Sequence, residues 1–216
     1  MKKAPSPSGS KPFPWLLVAL GLLVLSAAVA VGWNWYQKRY PSWYEEVRLS
    51  DGRVITIHQK REHYDNYGTA QSWVTIDLPE LGGKQVWHSY LMPQRVDMVD
   101  GKVYVFGIPR GDRQLTYYKY PKYFMVGFVW RGSMFERVPF MSLPVNIREA
   151  ENVLPCLPKE VGINSSRVAI QKKDQAWCLR RNNSGKSSQK IDIDEYKALA
   201  DKWAAIPRWE EKFRSE

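Results

Sequence analysis

The chain has 216 residues, with 32 Lys plus Arg against 22 Asp plus Glu, for a net charge of +10. Charged residues are 25% and hydrophobic ones 44%, which excludes wholesale disorder, a collagen-like chain and a polytopic membrane protein. Two Cys exclude a disulfide-rich miniprotein and a four-Cys zinc site.

Residues 1–14 carry Lys2, Lys3 and Lys11 with four Pro among Ser and Gly, the composition of a flexible basic tail. Trp15 to Trp33 then runs for 19 residues without a charge. As a helix it spans roughly 28 Å, close to the hydrocarbon core of a bilayer. Trp15 stands at one end and Trp33, Trp35 and Tyr36 at the other, as interfacial anchors do. A transmembrane helix is expected over 15–36, with the short basic flank cytoplasmic and the bulk of the chain exported. A cleaved signal peptide is the rival, because Ala28-Val29-Ala30 is an A-x-A site. The apolar run continues past Ala30, which favours retention. Either way the remainder carries 29 basic and 22 acidic residues.

After a juxtamembrane linker at 37–43, short alternating runs rich in β-branched and aromatic residues begin at Tyr44. Val47–Ile57 and Val96–Phe106 each read as hairpins around an Asp-Gly pair, which suits a type I′ turn. Ser72–Leu78 and Gln85–Leu91 read as strands, parted by Pro79 and Gly82-Gly83. Tyr123–Trp130 is a further strand, Arg131-Gly132-Ser133 a turn, and Met134–Phe140 the return. About eight strands between 44 and 140 predict a mainly β fold: an antiparallel sheet, sandwich or open barrel.

The last third is more mixed. Asn146 is placed to cap a short helix over Ile147–Val153. One or two strands are expected around Arg167–Ile170 and Ala176–Leu179, and Asn182–Lys190 reads as a polar loop. From Asp192 or Asp194, Tyr196, Leu199, Trp203 and Ile206 recur at helical spacing, so a C-terminal amphipathic helix is expected. The exported domain is thus bounded as 44–206, with a charged tail over 207–216.

Cys156 and Cys178 are the expected disulfide of an exported domain. Such a loop contributes about 3 kcal/mol by chain entropy. His58 and His63 are five apart, so on a regular strand they face opposite ways, and with His88 they show no metal-ligand spacing. Glu45 and Glu46 diverge for the same reason, and Asp192 and Asp194 are explained by the helix start. Gly185-Lys186-Ser187 resembles the end of a phosphate loop, but Arg180 stands where that pattern needs Gly. No catalytic, metal or cofactor site is assigned, and no nucleic-acid partner is expected.

The remaining hint is the aromatic content, with 10 Trp and 12 Tyr. Tyr117, Tyr118, Lys119, Tyr120 and Lys122 form a candidate binding patch: rings alternate with cations, and Pro121 disfavours central sheet pairing. The leading expectation is a membrane-anchored, non-enzymatic interaction or scaffold domain meeting another envelope protein. The alternatives are a module that binds cell-wall glycan, or an envelope hydrolase with a site no motif announces.

Overall fold

The computed structural model describes residues 14–64, 68–176, 178 and 191–205. Of the expected tail at 1–14, residues 1–13 lie outside the described residues and Pro14 opens a helix; the polar loop at 182–190 and the tail at 207–216 also lie outside them. The chain divides into two compact units, Met1–Lys38 and Arg39–Glu216.

The described residues of the first unit form one helix. Helix α1 runs over Pro14–Arg39. Its side chains from Trp15 to Lys38 are exposed, so it is not the core helix of a soluble fold. It is long and apolar enough to cross a membrane, a test that a signal sequence also passes. The helix carries on through Gln37, Lys38 and Arg39 of the expected linker. Strand β1 (Ser42–Arg48) takes its last two residues, so that only Tyr40 and Pro41 stand between.

The second unit is a two-sheet sandwich. Strands β2 (Val54–Tyr64), β3 (Gly68–Leu78), β4 (Gly83–Ser89), β5 (Met92–Val99), β6 (Lys102–Ile108), β7 (Val126–Trp130) and β8 (Phe135–Val138) follow β1, with β9 (Arg167–Val168) near the end. One sheet has the order β4-β3-β2-β1-β9 and the other β5-β6-β7-β8. All neighbours are antiparallel except β1 and β9, a parallel pair that the expected antiparallel sheet did not include. The strands form where period-two patterning puts one apolar face inward. Val47, Ile57, Val74, Ile76 and Trp87 of the first sheet meet Val96, Val103, Val105 and Phe128 of the second in one core.

The two Asp-Gly turns differ. Asp100 and Gly101 both have positive φ (51° and 68°), as the type I′ reading requires. At the other pair only Gly52 does (φ 87°), and the connection is the longer Leu49–Arg53 loop, closed by Leu49 N–H donating to the Arg53 carbonyl at 2.8 Å.

The back of the second sheet carries a further layer. Phe106, Ile108, Phe124, Phe140, Leu143 and Ile147 form a core there with Ile191, Tyr196 and Ala200. Helix α5 (Ile193–Ala204) supplies the last two, capped by Asp192 accepting from Glu195 N–H at 3.2 Å. Tyr196, Leu199 and Trp203 share its packed face as the spacing predicted; Ile206 lies outside the described residues.

Three other helices are short: α2 (Asp112–Tyr117), α3 (Val145–Arg148) and α4 (Ile170–Lys173). The expected helix over Ile147–Val153 is instead α3. It starts earlier, after Pro144, whose fixed φ suits the entry, and Asn146 lies within it rather than capping it. The expected strand Arg167–Ile170 shrinks to β9, because Ile170 opens α4. Of the second expected strand, Ala176 is irregular and Cys178 helical, and the rest lies outside the described residues.

Candidate interaction groove

The expected patch does not stay together. Tyr117, at the end of α2, is 62% exposed, whereas Tyr118 is only 4% exposed and joins the sandwich core. The Tyr118 hydroxyl lies 2.6 Å from Ser89 Oγ, and burial raises its pKa although that hydrogen bond opposes the rise. Tyr118 is therefore a wall between two surfaces rather than a contact residue. Tyr117 joins one surface; Lys119, Tyr120 and Lys122 join the other.

The backbone makes this split. Lys119 and Tyr120 both take left-handed conformations (φ 56° and 49°), and so does Phe124 (φ 56°). These are unusual for non-glycine residues and cost of order 1 kcal/mol each. The Tyr120 N–H donates back to the Leu115 carbonyl at 2.8 Å, and the Tyr120 hydroxyl donates to Asp112 at 3.0 Å. The loop is thus held against the end of α2 with Lys119 and Lys122 exposed.

Opposite it stand Arg137 and Val138 of β8, then Pro139, Phe140 and Met141. Together with Tyr120 and Tyr123 these enclose an open groove of about 580 Å3. Among the described residues three cations, Lys119, Lys122 and Arg137, line it, and no carboxylate does. Arg137 is fixed: its guanidinium donates to the Tyr118 carbonyl at 2.7 Å and lies 5.2 Å from the Tyr118 ring. The groove suits an anionic occupant with apolar parts.

The other surface is the outer face of the five-stranded sheet. Lys60, Trp73 and His88 are paired in register across β2, β3 and β4. The His88 ring is parallel to Trp73 within 2° at 5.0 Å, and Lys60 lies 5.4 Å from the Trp73 centroid from the neighbouring strand on the other side. His88 is thus stacked on Trp73, with the Lys60 amine also close to the ring. The row continues through Tyr90 to Tyr117. Beside it, Gln71 Nε2 donates to Glu62 at 2.5 Å, so Gln71 Oε1 faces His88 Nε2, 2.8 Å away. An amide oxygen only accepts, so His88 Nε2 carries the proton. Burial lowers the pKa of His88, and of His58, where nearby Lys84 and Lys60 add to the effect.

His63 lies apart, after a bulge in β2, in a cleft of about 370 Å3 that Arg110, Glu151, Glu160 and Tyr196 also line. Its Nε2 is buried without a hydrogen-bond partner among the described residues. Burial and nearby Arg61 lower its pKa, partly offset by Glu160. Among the described residues no three His, Cys, Asp or Glu side chains gather as metal ligands do.

Sequence reasoning missed a buried polar clasp beneath the cleft. Cys156 and Cys178 form the expected disulfide. The segment entering it is gripped by polar side chains on the inner face of β1 and β2. Leu154 N–H donates to Glu45 at 3.1 Å, and Arg61 donates to the Leu154 and Pro155 carbonyls. Lys173 Nζ donates to the Glu46 and Asn152 carbonyls and lies 3.9 Å from Glu45. Burial lowers the Lys173 pKa, with Glu45 opposing, and pushes Arg61 down to about 10. Nothing in the sequence marked these residues as internal, since polar alternation reads equally as a solvent face.

Comparison with known proteins gives no match to any family model, curated protein or solved structure.

Proposed function

We propose that the chain is a single-pass membrane protein with a cytoplasmic N-terminus, and that its β domain is exported and docks another envelope protein. The length of α1 and the basic residues before it support the anchor and its orientation. The disulfide supports an oxidising compartment, where such bonds persist. The observation that carries the docking role is the groove, where three cations and two tyrosines converge on a strained loop without a carboxylate. Nothing in that lining supplies a nucleophile paired with a base, so the role is binding rather than turnover.

The test is crosslinking of the intact chain in its native membrane. A single stoichiometric protein adduct is expected, and it is lost when Lys119 and Lys122 are both replaced by Glu while the thermal midpoint holds. An adduct indifferent to that charge reversal sinks the groove.

Two other readings rest on particular observations. Tyr120 and Tyr123 in the groove favour an anionic cell-wall glycan, which predicts co-sedimentation of the detergent-purified chain with wall material, weakened by Tyr120→Ala. The His63 cleft is where a hydrolase reading belongs; it predicts turnover of envelope substrates abolished by His63→Gln.

A further inference from the structure

We infer that the occupant of the groove enters as an extended acidic segment and adds a strand to the second sheet at β8; this rests on the groove being the docking site. Strand β8 is the last in the order β5-β6-β7-β8, and among the described residues it pairs with β7 alone. Its other edge therefore presents backbone N–H and C=O groups without sheet partners, a template for strand addition. The groove opens at the same place, because Arg137 and Val138 are the end of β8 itself.

The surroundings of that edge favour an occupant rather than bare solvent. Met134 and Met141, which precede and follow β8, are 59% and 41% exposed. Exposed methionines make an adaptable apolar contact. The single carboxylate on the strand, Glu136, lies 3.5 Å from Arg131. Lys119, Lys122 and Arg137 are left facing the groove. An added strand places alternate side chains on opposite faces. A segment alternating acidic and apolar residues thus presents one set of side chains to the groove, where the cations and Met141 stand together, and turns the other set away from it, with Met134 preceding the strand. A polysaccharide satisfies the cations but has no backbone amides for the β8 edge, so an extended polypeptide is the occupant the two observations share.

The experiment uses the full chain in detergent micelles and follows amide hydrogen exchange. The probe is a six-residue peptide alternating glutamate and valine, blocked at both ends. Three controls accompany it: the same peptide with alternate amides N-methylated, a lysine-valine counterpart, and an oligogalacturonate of matched charge. The acidic peptide is expected to slow exchange across Phe135–Val138, and Lys122→Glu to weaken its binding about tenfold. The N-methylated and lysine peptides should leave those amides unchanged. If the acidic peptide binds near Lys119 and Lys122 without protecting the β8 amides, or the N-methylated form binds equally well, strand addition is overturned while the groove stands. Tighter binding of the oligogalacturonate, again without protection of β8, replaces the polypeptide by a glycan. No binding by any anionic probe overturns both readings.

Discussion

Arg61 is a cation in the interior, and among the described residues its guanidinium donates to no carboxylate: it donates to two carbonyls and to Gln59, with the Trp43 ring 4.9 Å away. Its charge is balanced at longer range by Glu45 and Glu160. Truncating such a group strands the carbonyls it served. Arg61→Met should therefore lower unfolding stability by about 3 kcal/mol in chemical denaturation, and a loss within error would mean that the clasp is dispensable. Tyr118→Phe is a gentler case. It removes one buried hydroxyl and should cost about 1 kcal/mol without altering partner binding at the groove. A selective loss of binding with unchanged stability would return Tyr118 to the contact surface. The burial of these residues did not show in the sequence, for a common reason. Tyrosine and arginine each have an apolar body and a polar end, so neighbours alone do not say whether they face water.

Among the elements, β6 and β7 each carry one glycine at a close approach. A Cβ on Gly107 would stand 2.6 Å from the Met92 carbonyl oxygen on the adjacent strand, which backbone cannot yield cheaply. Gly127 on β7 instead faces the Leu143 side chain at 3.0 Å, which can move. Gly107→Ala should accordingly destabilise by about 2 kcal/mol and more than Gly127→Ala, as read from thermal midpoints. Equal effects would show that β5 and β6 part more readily than their register implies.

Strands β1 to β8 of the sandwich were legible because period-two patterning and turn residues agreed along them. So was α5, from its helical spacing; the short elements between β8 and α5 were not. Strand β9 is two residues long, and α3 and α4 four each, too short to display a period. The groove was half legible. Lys119, Tyr120 and Lys122 stood out by composition, but Arg137, Phe140 and Met141 arrive from another hairpin, which no local pattern records.

For the molecule as a whole, three histidines respond to acid together. His58, His63 and His88 all have pKa values below their ordinary 6.5, with burial the largest cause in each. A histidine whose folded pKa is depressed binds protons more readily when unfolded. Its contribution is present above about pH 6.5 and is lost as pH falls through the folded value. Stability should therefore decline from about pH 6.5 downward, before most carboxylates titrate. The His58→Gln, His88→Gln double variant should flatten that decline. An unchanged slope would assign the acid sensitivity elsewhere.

The place where the chain enters the β domain has a mechanical consequence. Residues 39–41 lead directly into β1, which has β2 on one side and β9 on the other. The Arg39 guanidinium holds Glu62 at 2.7 Å, and Arg61 N–H donates to the Pro41 carbonyl at 3.0 Å. A pull arriving through the preceding helix meets these two bonds first, and then seven paired residues between β1 and β2 that must slide or open. An edge strand at that position would peel away one pair at a time. Strand β9 braces β1 from the other side at Tyr44 and Glu45, so at those two residues the load passes into the sheet in both directions.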